Sequence, residues 1–260
     1  MKKNIVFGVY QFLGFHICNY LLESGYEVVG SDWLESESEN VEEKKQAFGR
    51  NANFSSHSGE WLENDKITMY ICLYDYLDNP SFSLKQLEEL LACIDCIVEK
   101  CNHDGMQMVV FLPEHLDSSM KHSIDEWKLQ SGRESMIRSI HLSELYGPWI
   151  PSYKFIQKIV KQEISVLKAN MSKYIYIDDF FQNWKNIMTL RSKDIYVFGK
   201  QPNDWHLQLF QLLVDENEDE LERNSIVANL YIEAKTSLRE GLQLVKEHND
   251  KLEVLRNWQD

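Results

Sequence analysis

An α/β fold, a parallel sheet wound on both faces by helices, is predicted by three features of the first 146 residues. Short apolar runs alternate five or six times with segments of helical period. Turn residues punctuate the alternation. Two of the runs, KITMYICLY (66–74) and MQMVVFLP (106–113), are apolar almost throughout, as strands covered on both faces are.

The elements follow in order. Residues 3–7 (KNIVF) read as the first strand. Leu13, Ile17, Tyr20 and Leu21 recur at helical spacing until Gly25, a natural stop. Residues 27–31 (EVVGS) read as a second strand with Asp32 at its end. The acidic stretch 33–46 reads as a solvated loop leading into a short helix, and ANFSS as a short third strand. After the apolar run 66–74 comes the clearest helix, 83–101. Ser83 is its cap, and Leu84, Leu87, Leu90, Leu91, Ile94 and Val98 form its apolar stripe. A polar helical segment (118–131) follows the run 106–113, then SMIRSIHL and the turn YGPW. Beyond it, residues 153–163 are amphipathic, KYIYID (173–178) is a strand and DFFQNWKNIMTL a helix. DIYVFG (194–199) is a strand, 204–223 is helical and acidic, and 236–255 is a long terminal helix with Thr236 as its cap. No internal repeat is present.

Composition narrows the function. A hydrophobic fraction of 43% fits a globular protein with a real core, and a formal charge of -14 argues against nucleic acid and against an anionic membrane surface. No run approaches the roughly 18 apolar residues of a membrane span. The start, MKKNIVFGVYQF, has no small-residue cleavage site and runs straight into a strand–turn–helix pattern, so a cytoplasmic location is expected. Five cysteines, an odd number, fit reduced thiols. Cys93, Cys96 and Cys101 precede His103, but Cys93 and Cys96 fall three apart on the apolar face of a predicted helix. No second pair stands at finger-like spacing, so buried thiols and no metal are expected.

Several stretches, in order, resemble the extended short-chain dehydrogenase/reductases, the NAD-dependent epimerase/dehydratase family. They are Gly8-Val9-Tyr10-Gln11-Phe12-Leu13-Gly14 with YLLESGYEVVGSD after it, YGP at 146–148, KYIYIDDFFQNW, and TSLREGLQLVKEHN. The resemblance implies a Rossmann-like doubly wound sheet over 1–146 plus 172–199. It also implies a small, trimmed C-terminal substrate-type domain over 147–171 plus 200–260.

It further implies where NAD would lie. The diphosphate would rest on the first helix's N-terminus, with Gly8 allowing the turn and Gly14 the close packing of helix on strand. Gln11 stands where the middle glycine is expected. If the loop needs positive φ there, Gln11 adds strain of roughly 1 to 3 kcal/mol. Phe12 and Leu13 open the helix, and Asp32, 18 residues after Gly14, would take the ribose hydroxyls. Leu73 and Tyr74 fall where the family lines the cofactor with small residues. The adenine-side acid is missing from Ser55-Ser56-His57-Ser58.

The family's Tyr–Lys pair is absent as well. Residues 113–145 hold no tyrosine, and Trp127 and Ser131 fall nearest its two positions. Ser118 and Ser119 are displaced candidates for its serine. Glu114, His115 and Lys121 could form another acid–base set, and His57, His103 or His115 another enzyme in the old cleft. Tyr146 belongs to the YGP turn, and Asp178 and Asp179 read as helix-start charge.

The expectation is therefore a member with a degenerate site, non-catalytic, with no catalytic residues assigned. It would bind a nucleotide or nucleotide-sugar weakly, or act through a protein partner, with a homodimer as one form. The alternative is an active NAD-dependent nucleotide-sugar epimerase, dehydratase or reductase with a rearranged site.

Overall fold

The computed structural model describes residues 2–33, 39–56, 66–101, 106–130, 134–161, 174–200 and 227–257. The chain forms two compact units, Met1–Ile140 and His141–Asp260.

In the first unit, strand and helix alternate as the hydrophobic pattern demands. The order is β1 (Lys2–Phe7), α1 (Phe12–Glu23), β2 (Val28–Ser31), α2 (Val41–Phe48), β3 (Phe54–Ser56), β4 (Lys66–Cys72), α3 (Tyr74–Leu77), α4 (Leu84–Cys101), β5 (Gln107–Pro113), α5 (Ser118–Gln130) and β6 (Ile137–Leu142). The strands lie side by side as β6-β5-β4-β1-β2-β3. β1 pairs in parallel with both β2 and β4, β3 adds to β2, and β5 adds to β4. This is the doubly wound Rossmann order, and the winding reverses between β1 and β4, where such folds hold their ligands. Six consecutive residues of β4 and six of β5 are buried, which explains why neither run alternates.

α4 starts on a reciprocal cap. The Ser83 N–H donates to Gln86 Oε1 at 2.9 Å, and the Gln86 N–H donates to Ser83 Oγ at 3.3 Å. Its buried stripe runs Leu87, Leu90, Leu91, Ile94, Ile97, Val98 and Cys101. Leu84, expected on the stripe, is exposed. Cys96 also faces solvent and Cys93 is only half-buried, which corrects the expectation of two buried thiols there. The run 66–74 stops as a strand at Cys72, and Tyr74 already belongs to α3.

The second unit contains β7 (Leu145–Tyr146), α6 (Phe155–Val160), β8 (Ile175–Tyr176), α7 (Ile177–Gln182), α8 (Trp184–Thr189), β9 (Asp194–Lys200), β10 (Val227–Glu233) and α9 (Leu238–Asn257). β7 pairs with β8, and β9 pairs with β10 along its whole length, both in parallel. DFFQNWKNIMTL is two helices rather than one. The Asn183 side chain donates to the Asp179 carbonyl at 2.9 Å and diverts the backbone at the break. The expected strand 173–178 is confined to Ile175 and Tyr176. α9 is capped by Ser237, whose Oγ accepts the Glu240 N–H at 3.3 Å, and not by Thr236. The expected helix 204–223 lies outside the described residues. Among the described residues, no helix is long and apolar enough to cross a membrane.

Candidate functional site

The loops at the carboxyl ends of β1, β2 and β4 meet where the winding reverses. The β1–α1 turn opens at Gly8, whose φ of +81° is the left-handed conformation that favours glycine. The Gly8 and Val9 N–H groups donate to the Ser31 carbonyl at 2.9 and 3.1 Å, tying the turn to β2. Gly14 lies against the same turn. A Cβ there would stand 1.9 Å from the Gly8 carbonyl oxygen. Gln11 precedes α1 in an extended conformation (φ -73°, ψ 167°), so the strain that positive φ would bring does not arise. Its side chain hydrogen-bonds Asp32. Phe12 and Leu13 are fully buried.

Several polar groups of this crevice bond one another or the backbone of the turn. Asp32 accepts the Tyr10 N–H and the Trp33 N–H, each at 2.8 Å, and the Tyr76 hydroxyl. Burial raises the Asp32 pKa, while the hydrogen bonds from Tyr76, Tyr10, Trp33 and Gln11 pull it down. Asp75, 1% exposed, turns its Oδ2 to the Leu13 N–H at 2.8 Å. That N–H belongs to the first turn of α1, where unpaired donors and the helix dipole favour an anion. Lys44, 2% exposed, donates from Nζ to the Tyr10 carbonyl at 2.6 Å. Burial lowers its pKa to about 8, against the raising fields of Asp75, Asp32, Glu39 and Glu43. Lys44 and the two carboxylates of the crevice, Asp75 and Asp32, are thus each held by a backbone partner.

The apolar groups close the remaining space. Leu73 and Tyr74 are at most 1% exposed. The Tyr76 ring edge, Cε2, lies 3.4 Å from where a Cβ on Gly8 would stand, so the ring packs over the glycine turn. Trp33 and Phe82 meet Tyr76 at ring-centroid distances of 6.3 and 5.9 Å.

The structure thus gathers Gly8, Gln11, Phe12, Leu13, Gly14 and Asp32 around one turn, and places Leu73 at the head of α3. Reasoning from sequence missed Asp75, Tyr76 and Lys44. A carboxylate two residues past Leu73 was one available signal. The other was helical phase: Lys44 lies four residues before the buried Phe48, on the same face of α2.

An NAD diphosphate on the α1 N-terminus would meet the Asp75 carboxylate, and its ribose would meet the Tyr76 hydroxyl on Asp32. In this arrangement the residues present do not fit the cofactor. The other candidates do not converge. Trp127 is buried and donates its indole N–H to Asp95 on α4 at 2.9 Å. Ser118 and Ser119 are exposed at the start of α5, where Asp117 accepts the Ser119 N–H at 2.8 Å. His115 is exposed and pairs with Glu114 at 3.3 Å, and Lys121 is exposed. Ser131, His57, Ser58 and His103 lie outside the described residues.

In the second unit, Tyr146 is buried, which raises its pKa, and its ring packs on Gly241. Asp179, also buried, accepts the Lys235 and Thr236 N–H groups at 3.1 and 3.0 Å, a tie between α7 and the turn before α9. Asp178 is exposed.

The sequence matches no protein-family model and no curated relative. Solved structures do resemble it. dTDP-glucose 4,6-dehydratase from Bacillus anthracis, in complex with NAD, superposes with a TM-score of 0.60 at 15% identity, over 96% of this chain and 97% of that one. Pal from Bacillus thuringiensis gives 0.61 at 12%, over 97% and 100%. Yeast methylglyoxal/isovaleraldehyde reductase Gre2, complexed with NADPH, gives 0.55 at 13%, over 97% and 99%. The fold is therefore the Rossmann-like α/β fold that these solved structures share.

Proposed function

We propose that this chain is a divergent relative of the NAD-dependent epimerase/dehydratase enzymes that no longer transfers hydride, binds nucleotides weakly or not at all, and acts through a protein partner. The observation that carries this reading is the buried Asp75 Oδ2 on the Leu13 N–H at 2.8 Å. A carboxylate in that place repels the phosphates a dinucleotide would bring, at short range and out of water. The missing Tyr–Lys pair points the same way. Proton exchange with a substrate hydroxyl needs a group of tuned pKa within hydrogen-bond reach. Trp127 supplies only an indole donor, and Asp95 already takes it.

Melting experiments test the reading. NAD, NADP and UDP- or dTDP-hexoses at millimolar concentration are expected to leave the midpoint unmoved to within about 1 °C, since a ligand stabilises only in proportion to its occupancy of the folded state. A rise of several degrees with NAD overturns the proposal. The retained Gly8, Gly14 and Asp32 favour the second reading, an active enzyme with a rearranged site. That reading requires turnover of a nucleotide-sugar as well as the shift.

A further inference from the structure

α3 presents two polar side chains to the crevice, and each meets a group that a bound adenosine diphosphate would engage in a fold of this order. Asp75 is on the helix N-terminus that receives a diphosphate, and the Tyr76 hydroxyl is on the acid that receives ribose hydroxyls. The ring of Tyr76 covers Gly8, against which a diphosphate would pass. Trp33 and Phe82 pack against that ring and against each other. Lys44 completes the device from α2. Its ammonium offsets the two carboxylates while anchoring α2 to the turn through the Tyr10 carbonyl. Nothing in the backbone of the turn itself is altered to exclude a ligand. Gly8 has positive φ, Gln11 is unstrained and Gly14 is packed closely.

We infer that α3 is a built-in plug, an internal mimic of adenosine diphosphate in which Asp75 replaces the diphosphate and Tyr76 the ribose, seated on a glycine turn whose backbone is still that of a nucleotide site. The inference rests on the reading that the crevice is closed to dinucleotides, and adds that two side chains close it. Their removal then restores binding: the Leu13 N–H and the Asp32 carboxylate become available to phosphate and ribose oxygens together.

The test is calorimetric titration of ADP into the full chain, as wild type and as the Asp75→Ala, Tyr76→Ala double variant, with circular dichroism confirming that the variant is folded. The expected result is an affinity at least about tenfold higher in the variant, equivalent to about 1.4 kcal/mol. If both proteins are blind to ADP, the plug is overturned while the closed-crevice reading stands. If wild type binds ADP as tightly as the variant, both fall.

Should the double variant not fold, Asp75→Ala alone decides. Formate, a carboxylate free to enter the vacated position, is expected to raise the melting midpoint of that variant saturably above a chloride control of equal ionic strength. Wild type is expected to show no such difference. An identical response of the two proteins overturns the inference.

Discussion

Gly14→Ala is expected to destabilise the first unit by about 3 kcal/mol or more, the upper end of overpacking effects. Its added methyl would stand 1.9 Å from the Gly8 carbonyl oxygen and 2.7 Å from the Gly8 carbonyl carbon. Both are backbone atoms, and the turn is fastened to Ser31 by two hydrogen bonds, so neither partner can rotate aside. α1 must move away as a body, and the Leu13–Asp75 contact moves with it. In a chain of this size the loss corresponds to a fall in melting midpoint of roughly 6 to 12 °C. Gly25→Ala is the control. Its φ is +79°, but a Cβ there meets nothing within 4 Å, so only the backbone conformation is penalised, by about 1 kcal/mol. Urea unfolding of the two variants separates the cases, and equal losses would contradict the close packing of helix on turn.

Lys44 should govern the response to alkali. Its pKa is about 8 in the folded chain, below the ordinary 10.5, and the cause is burial. Below pH 8 the folded and unfolded chains both carry the proton, and the full burden of burying the charge is present. Between pH 8 and 10.5 the unfolded chain binds more protons than the folded one, so stability rises with pH. From pH 7 to pH 10 the gain attributable to Lys44 is on the order of 2 to 3 kcal/mol. The groups whose fields act on it are Asp75, Asp32, Glu39 and Glu43, and Tyr10 holds its Nζ through the carbonyl. Carboxylates titrate well below this window in the unfolded chain. Lys44→Met removes the ammonium and should flatten the profile. Guanidinium unfolding of wild type and variant at pH 7 and pH 10 gives the comparison. Parallel profiles would mean that Lys44 is not held as a buried ammonium.

Much of this architecture is legible in the residues alone, and the exceptions have physical causes. The turn Gly8–Gly14, the acid at the end of β2 and the cap at Ser83 depend on local geometry, which short patterns encode. What Asp75 touches does not. An acid in a short helix after an apolar strand looks like solvated charge until the fold brings the α1 N-terminus, 62 residues away, against it. The continuous apolar run 66–74 hides the end of β4, because buried strand and buried helical turn share the same composition. In α2, five polar residues at 42–46 disguise one buried lysine beside an exposed one, Lys45. β10 escapes notice because Asn229 and Glu233 interrupt an apolar stretch whose alternate residues are only half-covered. Each of these is fixed by tertiary packing rather than by local preference.

A carboxylate of the chain itself holds the Leu13 N–H at the start of α1, and the proposed function rests on that contact. A crystal structure of the protein grown with millimolar NAD tests that placement most directly. The account predicts Asp75 Oδ2 within hydrogen-bond distance of the Leu13 N–H and the Tyr76 hydroxyl on Asp32, with no nucleotide between them. A diphosphate oxygen on the Leu13 N–H, with Asp75 swung aside and a ribose on Asp32, would contradict it.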